Sequence, residues 1–344
     1  MATKLSILLS LAALALFVLA SVSGANAAEQ GKLTGAKMST HPDWFKESFL
    51  EIADDVDEAS EAGKHVLLFM EMNGCPYCFK MIEENFKDAP YKAFIQDNFD
   101  VIALNIKGDR EVTLNTETSA TEKEIAETLG VTYTPTLIFL NSDNKPVARV
   151  NGYRNIDDFK VVLDYVQQKA YESRTLTDYV ASHRQADTYA FRDHPQFRSI
   201  EDLSSIEDKP LAVLFEDKSC VACDALHDGN LADPQIREIL KNFVVVRLDA
   251  MSDVPITNID GSKTTAKDLA TRLGITYRPA LVLFDKGQEI ARIENKLYRY
   301  HFAGILEYVG ERHYEAYPDS PFRYIDAKSA KLMAEGKDVS ISDE

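Results

Sequence analysis

Residues 66–78, VLLFMEMNGCPYC, and residues 211–223, LAVLFEDKSCVAC, decide the fold. Each runs from a short apolar segment into a Cys-x-x-C pair, and the two stand 145 positions apart. The correspondence spreads outward: NFDVIALNIKGDREV (98–112) matches NFVVVRLDAMSDVPI (242–256) at an offset of 144. TEKEIAETLGVTYTPTLIFL (121–140) matches TAKDLATRLGITYRPALVLF (265–284) at that same offset. Even LDYVQQKAYE (163–172) has a counterpart in LEYVGERHYE (306–315). A period this long, far beyond the roughly 20–50 residues of solenoid repeats, is a tandem duplication of a whole domain.

Both copies carry the same local signals. In the first, Phe45, Phe49, Ile52 and Val56 form one helical stripe and Trp44 anchors it in the core. HVLLFME has the length and continuity of a buried strand, the cysteine pair opens a helix through CFKMIEENF, and FDVIALNI makes a second strand. Thr121 with Glu124 is a capping box closed by Gly130, and Thr265, Asp268 and Gly274 repeat it. TPTLIFLN and VARVNGY then read as two strands pairing antiparallel across NSDNKP, before a final helix. This order predicts an α/β fold: two tandem domains, each a central mixed sheet flanked by helices. LTDYVASHR and FRYIDAKSAKL read as packing segments after each last helix.

At the start, Lys4, the apolar run LSILLSLAALALFVLA and an Ala-x-Ala site at Ala25 and Ala27 read as a signal peptide over 1–27. The expected domains are 40–185, with CPYC, and 195–344, with CVAC, joined through the polar stretch 184–198. The signal implies the periplasm, where disulfides persist, and no stable membrane insertion once it is cleaved. The formal charge of the 344-residue chain is −17, and loss of Lys4 with the signal makes it −18. So acidic a chain lacks the cationic footprint needed for nucleic acid or anionic lipid.

All four cysteines lie in the two pairs. A cysteine attacks disulfides only as thiolate, and a helix N-terminus stabilises that charge. Cys75, followed by Pro76 at the favoured first helical position, is the expected attacking thiol, with Cys78 resolving the mixed disulfide. Cys220 and Cys223 repeat the arrangement, with Lys218 nearby to favour the thiolate. Glu71 and Glu216 would oppose it if they pointed inward; both read more readily as solvated strand ends. A zinc tetrad shared by the pairs is the competing reading, but such pairs usually stand ~15–20 residues apart. Here 141 residues separate Cys78 from Cys220. No metal or other cofactor is expected. The prolines of TYTPT and TYRPA recur at the same distance after each cysteine pair, where a cis X-Pro bond is accessible at modest cost.

Together these residues resemble the thioredoxin superfamily, over essentially all of the chain after the signal. The resemblance implies cis Pro135 and Pro279 beside the cysteine pairs, with Thr134 and Arg278 offering backbone to an incoming peptide. HPDWFKESFLEIADDVDEASEAGKHVLLFMEMNGCPYC is nearer still to periplasmic thioredoxins of the SoxW type. That implies reduction of protein disulfides, including those of sulfur-carrier proteins, with electrons from a membrane thiol transporter. The chain departs from thioredoxins proper where Gly74 and Ser219 precede the cysteines. The family's buried acid, six positions before the first Cys, is replaced by Phe69 and Leu214. Tyr77 is expected at an exposed helix start, either stacking on substrate or solvated, and His227 at the surface. A disulfide oxidase or isomerase, and a non-enzymatic peptide- or metal-binding protein, stay open as alternatives.

Overall fold

The computed structural model describes residues 30–38, 40–183 and 188–343. The signal-peptide reading therefore lies outside the described residues. In chain order the first half comprises β1 (Leu33–Thr34), α1 (Ile52–Glu61), β2 (His65–Glu71), α2 (Pro76–Met81), α3 (Lys92–Asn98), β3 (Phe99–Asn105), β4 (Glu111–Asn115), β5 (Thr118–Thr121), α4 (Glu122–Thr128), β6 (Thr136–Leu140), β7 (Pro146–Asn151), α5 (Ile156–Gln167) and α6 (Leu176–His183). The second half comprises β8 (Leu211–Glu216), α7 (Cys223–Asp228), α8 (Pro234–Leu240), β9 (Val244–Asp249), β10 (Pro255–Thr257), β11 (Lys263–Thr265), α9 (Ala266–Arg272), β12 (Ala280–Asp285), β13 (Gln288–Ile293), α10 (Arg299–Gly310), α11 (Pro321–Ala334) and β14 (Val339–Ser340).

Each half builds one four-stranded mixed sheet, β3-β2-β6-β7 and β9-β8-β12-β13. In each sheet the first pair, β3-β2 or β9-β8, is parallel, and the central and last pairs are antiparallel. β2 and β8 read as unbroken apolar runs because both of their faces are covered. Val66, Leu68 and Met70 face the cluster under α1 and α4. Leu67 and Phe69 join a second cluster, which also takes Ala212 and Leu214 from β8 together with Phe302, Ile305 and Leu306 from α10. That second cluster is continuous across the two domains, so they share a core.

Two expectations about the first helix fail. Phe49 is 99% exposed and α1 begins only at Ile52, because Leu50 and Glu51 are held against β4. The Thr113 N–H donates to the Leu50 carbonyl (2.8 Å), and Leu50 takes φ +65°, which keeps this stretch out of the helix. Trp44 precedes the helix and packs, partly buried, on Phe45 and Phe86. Among the described residues the second domain has no counterpart of α1: Leu203–Ser205 is a single 3-10 turn. Both domains add a hairpin, β4-β5 and β10-β11, that the sequence reading did not separate.

The ends of the described chain meet. β1 pairs in parallel with β14, Leu33 opposite Val339 and Thr34 opposite Ser340. Gly31 lies so close to this segment that a Cβ there would sit 2.0 Å from the Lys337 carbonyl oxygen.

Candidate functional site

The first cysteine pair sits where β2 delivers the chain into α2. Gly74 takes φ +80°, a turn no other residue adopts cheaply, and its carbonyl accepts the Lys37 N–H (3.2 Å). Cys75 is the N-cap of α2 and Pro76 its first residue. The Cys75 sulfur accepts the Cys78 N–H (3.1 Å) and the Thr134 hydroxyl (3.4 Å). The Thr134 carbonyl oxygen stands 3.6 Å from the same sulfur, and Thr134–Pro135 is cis. Cys75 and Cys78 are joined as a disulfide with Cα atoms 5.3 Å apart, and both are buried.

Tyr77 is not at an exposed helix start. It is buried against the second domain, its ring stacked on Tyr298 (centroids 5.0 Å apart). Its hydroxyl pairs with His301 Nδ1 (2.8 Å) and accepts the Tyr298 N–H (3.0 Å). Burial pushes the Tyr77 phenol upward and the His301 imidazole down to about 4, so both are neutral at pH 7.

The second pair is built differently. Cys220 and Cys223 also form a disulfide, with Cα atoms 5.4 Å apart, but α7 begins at Cys223 with Ala222 as its N-cap. Cys220 thus sits in a turn ahead of the helix and lacks the helix-start position expected for it. The turn is held by Asp217, whose carboxylate accepts from the Ser219 N–H (2.9 Å) and hydroxyl. The other Asp217 oxygen lies 3.5 Å from Arg278 Nε, and both side chains are buried. Arg278 also donates to the Ile275 and Tyr277 carbonyls, and Arg278–Pro279 is cis. The arginine side chain therefore ties its own loop to the cysteine turn. Lys218 is exposed, and its carbonyl accepts the Thr188 and Tyr189 N–H groups.

Glu216 and His227 overturn the solvent-exposed reading. Glu216 is fully buried, His227 nearly so, and Nε2 of the imidazole lies 2.8 Å from the carboxylate. The Tyr189 hydroxyl bonds both Glu216 oxygens (3.2 Å each), while its ring packs on Cys220 and Cys223. Burial, then the neighbouring carboxylate, raise the Tyr189 phenol. Tyr189 comes from the stretch first taken for a polar linker. In the first domain Glu71 is partly shielded and pairs with His41 at 2.5 Å.

Sequence reasoning missed Asp217, Tyr189 and the pairing role of His227. A signal for the first was present: Asp217 and Arg278 align with Met72 and Thr134, so opposite charges appear at both positions in one copy and at neither in the other. His227 likewise aligns with the buried Ile82.

The two sites turn toward each other. Tyr133, beside Thr134, donates to the Arg292 carbonyl (3.2 Å) and packs edge-on against Phe322 (5.1 Å). Its counterpart Tyr277 lies under the Arg154 guanidinium (4.6 Å), so each domain covers the other's proline loop.

The profile of the thioredoxin-like domain family matches twice, at residues 52–167 and 201–310. No curated protein matches the sequence. Among solved structures, a thioredoxin-fold protein from Helicobacter pylori is similar at 18% identity and TM-score 0.34, covering 41% of this chain and 93% of its own. A DsbH oxidoreductase is similar at 17% identity and TM-score 0.28, covering 41% of this chain and 96% of its own. A thioredoxin from Thermus thermophilus is similar at 23% identity and TM-score 0.27, covering 34% of this chain and 83% of its own. With the family profile spanning well over half of its residues, in two copies that each enclose a Cys-x-x-C pair, the chain belongs to the thioredoxin-like domain family.

Proposed function

We propose that this thiol–disulfide oxidoreductase works as a periplasmic reductase, with Cys75 and Cys220 attacking partner disulfides and Cys78 and Cys223 releasing the product. The observation that carries the assignment of the attacking thiol is the Cys75 sulfur at a helix N-cap with the Cys78 N–H and the Thr134 hydroxyl both directed at it. Two donors and a helix start stabilise that thiolate, which by itself makes the pair more oxidising, so the reducing direction rests on burial.

Reduction is favoured over oxidation by burial. Cys75 and Cys78 lie within an apolar cluster, and Cys220 and Cys223 are as deeply buried among Tyr189 and Phe191. Desolvation disfavours thiolates and so favours the disulfide, which makes the dithiol the stronger electron donor. Proteins with disulfides are the proposed acceptors, those of sulfur carriers included, and a membrane thiol transporter the proposed donor.

Equilibration with a dithiothreitol redox buffer tests the direction: a potential near about −270 mV supports reduction, and one near about −120 mV sinks it in favour of an oxidase. Cys78→Ala and Cys223→Ala variants should accumulate mixed disulfides with extracytoplasmic proteins, and these identify the partners.

A further inference from the structure

The two cysteine pairs differ in what lies over them. Cys75 lines a cavity of about 620 Å³ that is also walled by Phe322, Ile325 and Met333 of α11. Neither Cys220 nor Cys223 lines that cavity or the comparable one of about 610 Å³ beside Val221 and Pro279. What lies on the second pair is a short run of chain ahead of its domain, Thr188–Arg192, TYAFR.

The first domain has the same run with a different residue in it. Tyr189 stands five positions before His194-Pro195, as Ala36 stands five before His41-Pro42. The two frames also coincide in space: after each His-Pro, the Lys46 and Arg198 N–H groups donate to the carbonyls of Val101 and Val245, which the repeat aligns (2.8 Å each). Just ahead of the cysteines, the Lys37 N–H donates to the Gly74 carbonyl (3.2 Å) and the Tyr189 N–H to the Lys218 carbonyl (2.9 Å). One duplicated segment therefore crosses both cysteine turns. It carries a methyl group at Ala36, which lines the first cavity, and a phenol ring at Tyr189, which packs on Cys220 and Cys223.

The ring is fastened on two sides. Inside, the Thr188 N–H joins that of Tyr189 on the Lys218 carbonyl (2.8 Å), and the Tyr189 hydroxyl bonds both oxygens of buried Glu216 (3.2 Å each). Outside, Arg192 reaches Asp224 (3.2 Å) and Asp228 (2.7 Å), both on α7, the helix that starts at Cys223. The Arg192 carbonyl accepts from Arg247 (2.7 Å), whose guanidinium lies over the Phe191 ring (5.1 Å). The outer fastening is a pair of exposed ion pairs, the weakest kind and the one that salt screens. Beneath the strap Cys220 keeps 2% of its surface and Cys223 none.

We propose that Thr188–Arg192 is an autoinhibitory strap: Tyr189 shields the oxidised Cys220–Cys223 pair from reductants, Arg192 latches it to α7, and the site is recharged only when the strap lifts. The proposal rests on the redox reading above and concerns the regulation of the second site. A dithiol that recharges the pair must bring its thiolate onto the Cys220 sulfur. The mixed disulfide forms as the Cys220–Cys223 bond breaks and Cys223 leaves as thiolate. The dithiol's second sulfur then displaces Cys220, so two electrons and two protons pass to the protein and the reductant ends as its own disulfide. The Tyr189 ring occupies the approach that the first of these steps needs, and in the first domain Ala36 leaves a cavity at the equivalent place.

The test uses the full chain with Cys75→Ser and Cys78→Ser, so that only the second pair is read. Its reduction by dithiothreitol is quenched at intervals with iodoacetamide, and mass spectrometry counts the labelled cysteines. Tyr189→Ala, which installs the first domain's residue, should raise the reduction rate by about tenfold. Arg192→Ala, a change at the surface, should raise it by about threefold with an unchanged circular dichroism. About 1 M NaCl should bring the same gain to the parent chain and none to Arg192→Ala. A rate that Arg192→Ala leaves unmoved, or a salt effect that this variant retains, would overturn the strap even where Tyr189→Ala does not fold. A folded Tyr189→Ala chain reduced no faster than its parent overturns it too. The redox reading of this site is tested separately: it fails if the prereduced chain, with or without Tyr189→Ala, passes no electrons to the disulfides of insulin.

Discussion

At the scale of single residues, the two sites differ by exchanges that only make sense in pairs. Asp217 and Arg278 replace Met72 and Thr134 and form a buried ion pair joining cysteine turn to proline loop. Removing one partner strands the other charge, at a cost of about 3–5 kcal/mol. Asp217→Met alone should therefore destabilise the protein by about 3 kcal/mol in urea unfolding, and Asp217→Met with Arg278→Thr should recover most of it. Additive losses would show that the two side chains do not act together. Glu216 and His227 follow the same logic, since the first domain, with Ile82 at the aligned position, satisfies Glu71 through His41 instead. The cysteines and prolines were legible because their chemistry requires fixed local spacing. Buried ionic partners were not, because a lone Glu or His reads as solvated until the chain that covers it is known.

At the scale of elements, the start of the helix separates the sites. α2 begins directly after Cys75, whereas α7 begins only at Cys223 and leaves Cys220 in the preceding turn. Partial charge at a helix start decays within its first turn, so the benefit reaches Cys75 and not Cys220. In reduced Cys78→Ala and Cys223→Ala variants at pH 7, Cys75 should react with iodoacetamide about tenfold faster than Cys220 once normalised for unfolded controls. Mass spectrometry of the labelled peptides decides it, and equal rates would mean that the different helix starts do not matter. The missing first helix of the second domain belongs here too. Apolar periodicity alone placed Phe49 on a buried stripe, but the edge of β4 claims the backbone at Leu50, so the helix starts only at Ile52.

At the scale of the whole molecule, a shared apolar cluster and two crossed loop contacts make one body of two domains. His301 sits in that interface, held by burial down to about 4 from an ordinary 6.5, and His65 is lowered to about 4 for the same cause. A histidine whose folded value is depressed is less protonated than in the unfolded chain between those limits, so stability rises with pH there and is lost as pH falls from about 6.5 toward 4. Urea midpoints should drop over that window, and His301→Asn should flatten its share of the slope. The pairing of β1 with β14 is a second brace. Val339→Pro removes the Val339 N–H that donates to the Lys32 carbonyl (2.9 Å), and should speed proteolysis of both chain ends without unfolding the sheets.

By itself the sequence determined that there are two domains, that each is a mixed sheet with helices, and where each cysteine pair and its proline fall. Those are set by hydrophobic period, caps and spacing, all local quantities that survive duplication. Tertiary structure alone decided that Tyr77 and Tyr133 are spent on the neighbouring domain, that Tyr189 returns to cover the second pair, and that Cys75 faces a walled cavity. The reason is physical: the fates of Tyr77 and Tyr133 depend on which surfaces two similar domains bury against each other, settled by shape and apolar area between residues more than 150 positions apart, for which no local pattern exists. Tyr189 reaches Glu216 from 27 positions away by a fold-back of the chain that no helix or strand period announces.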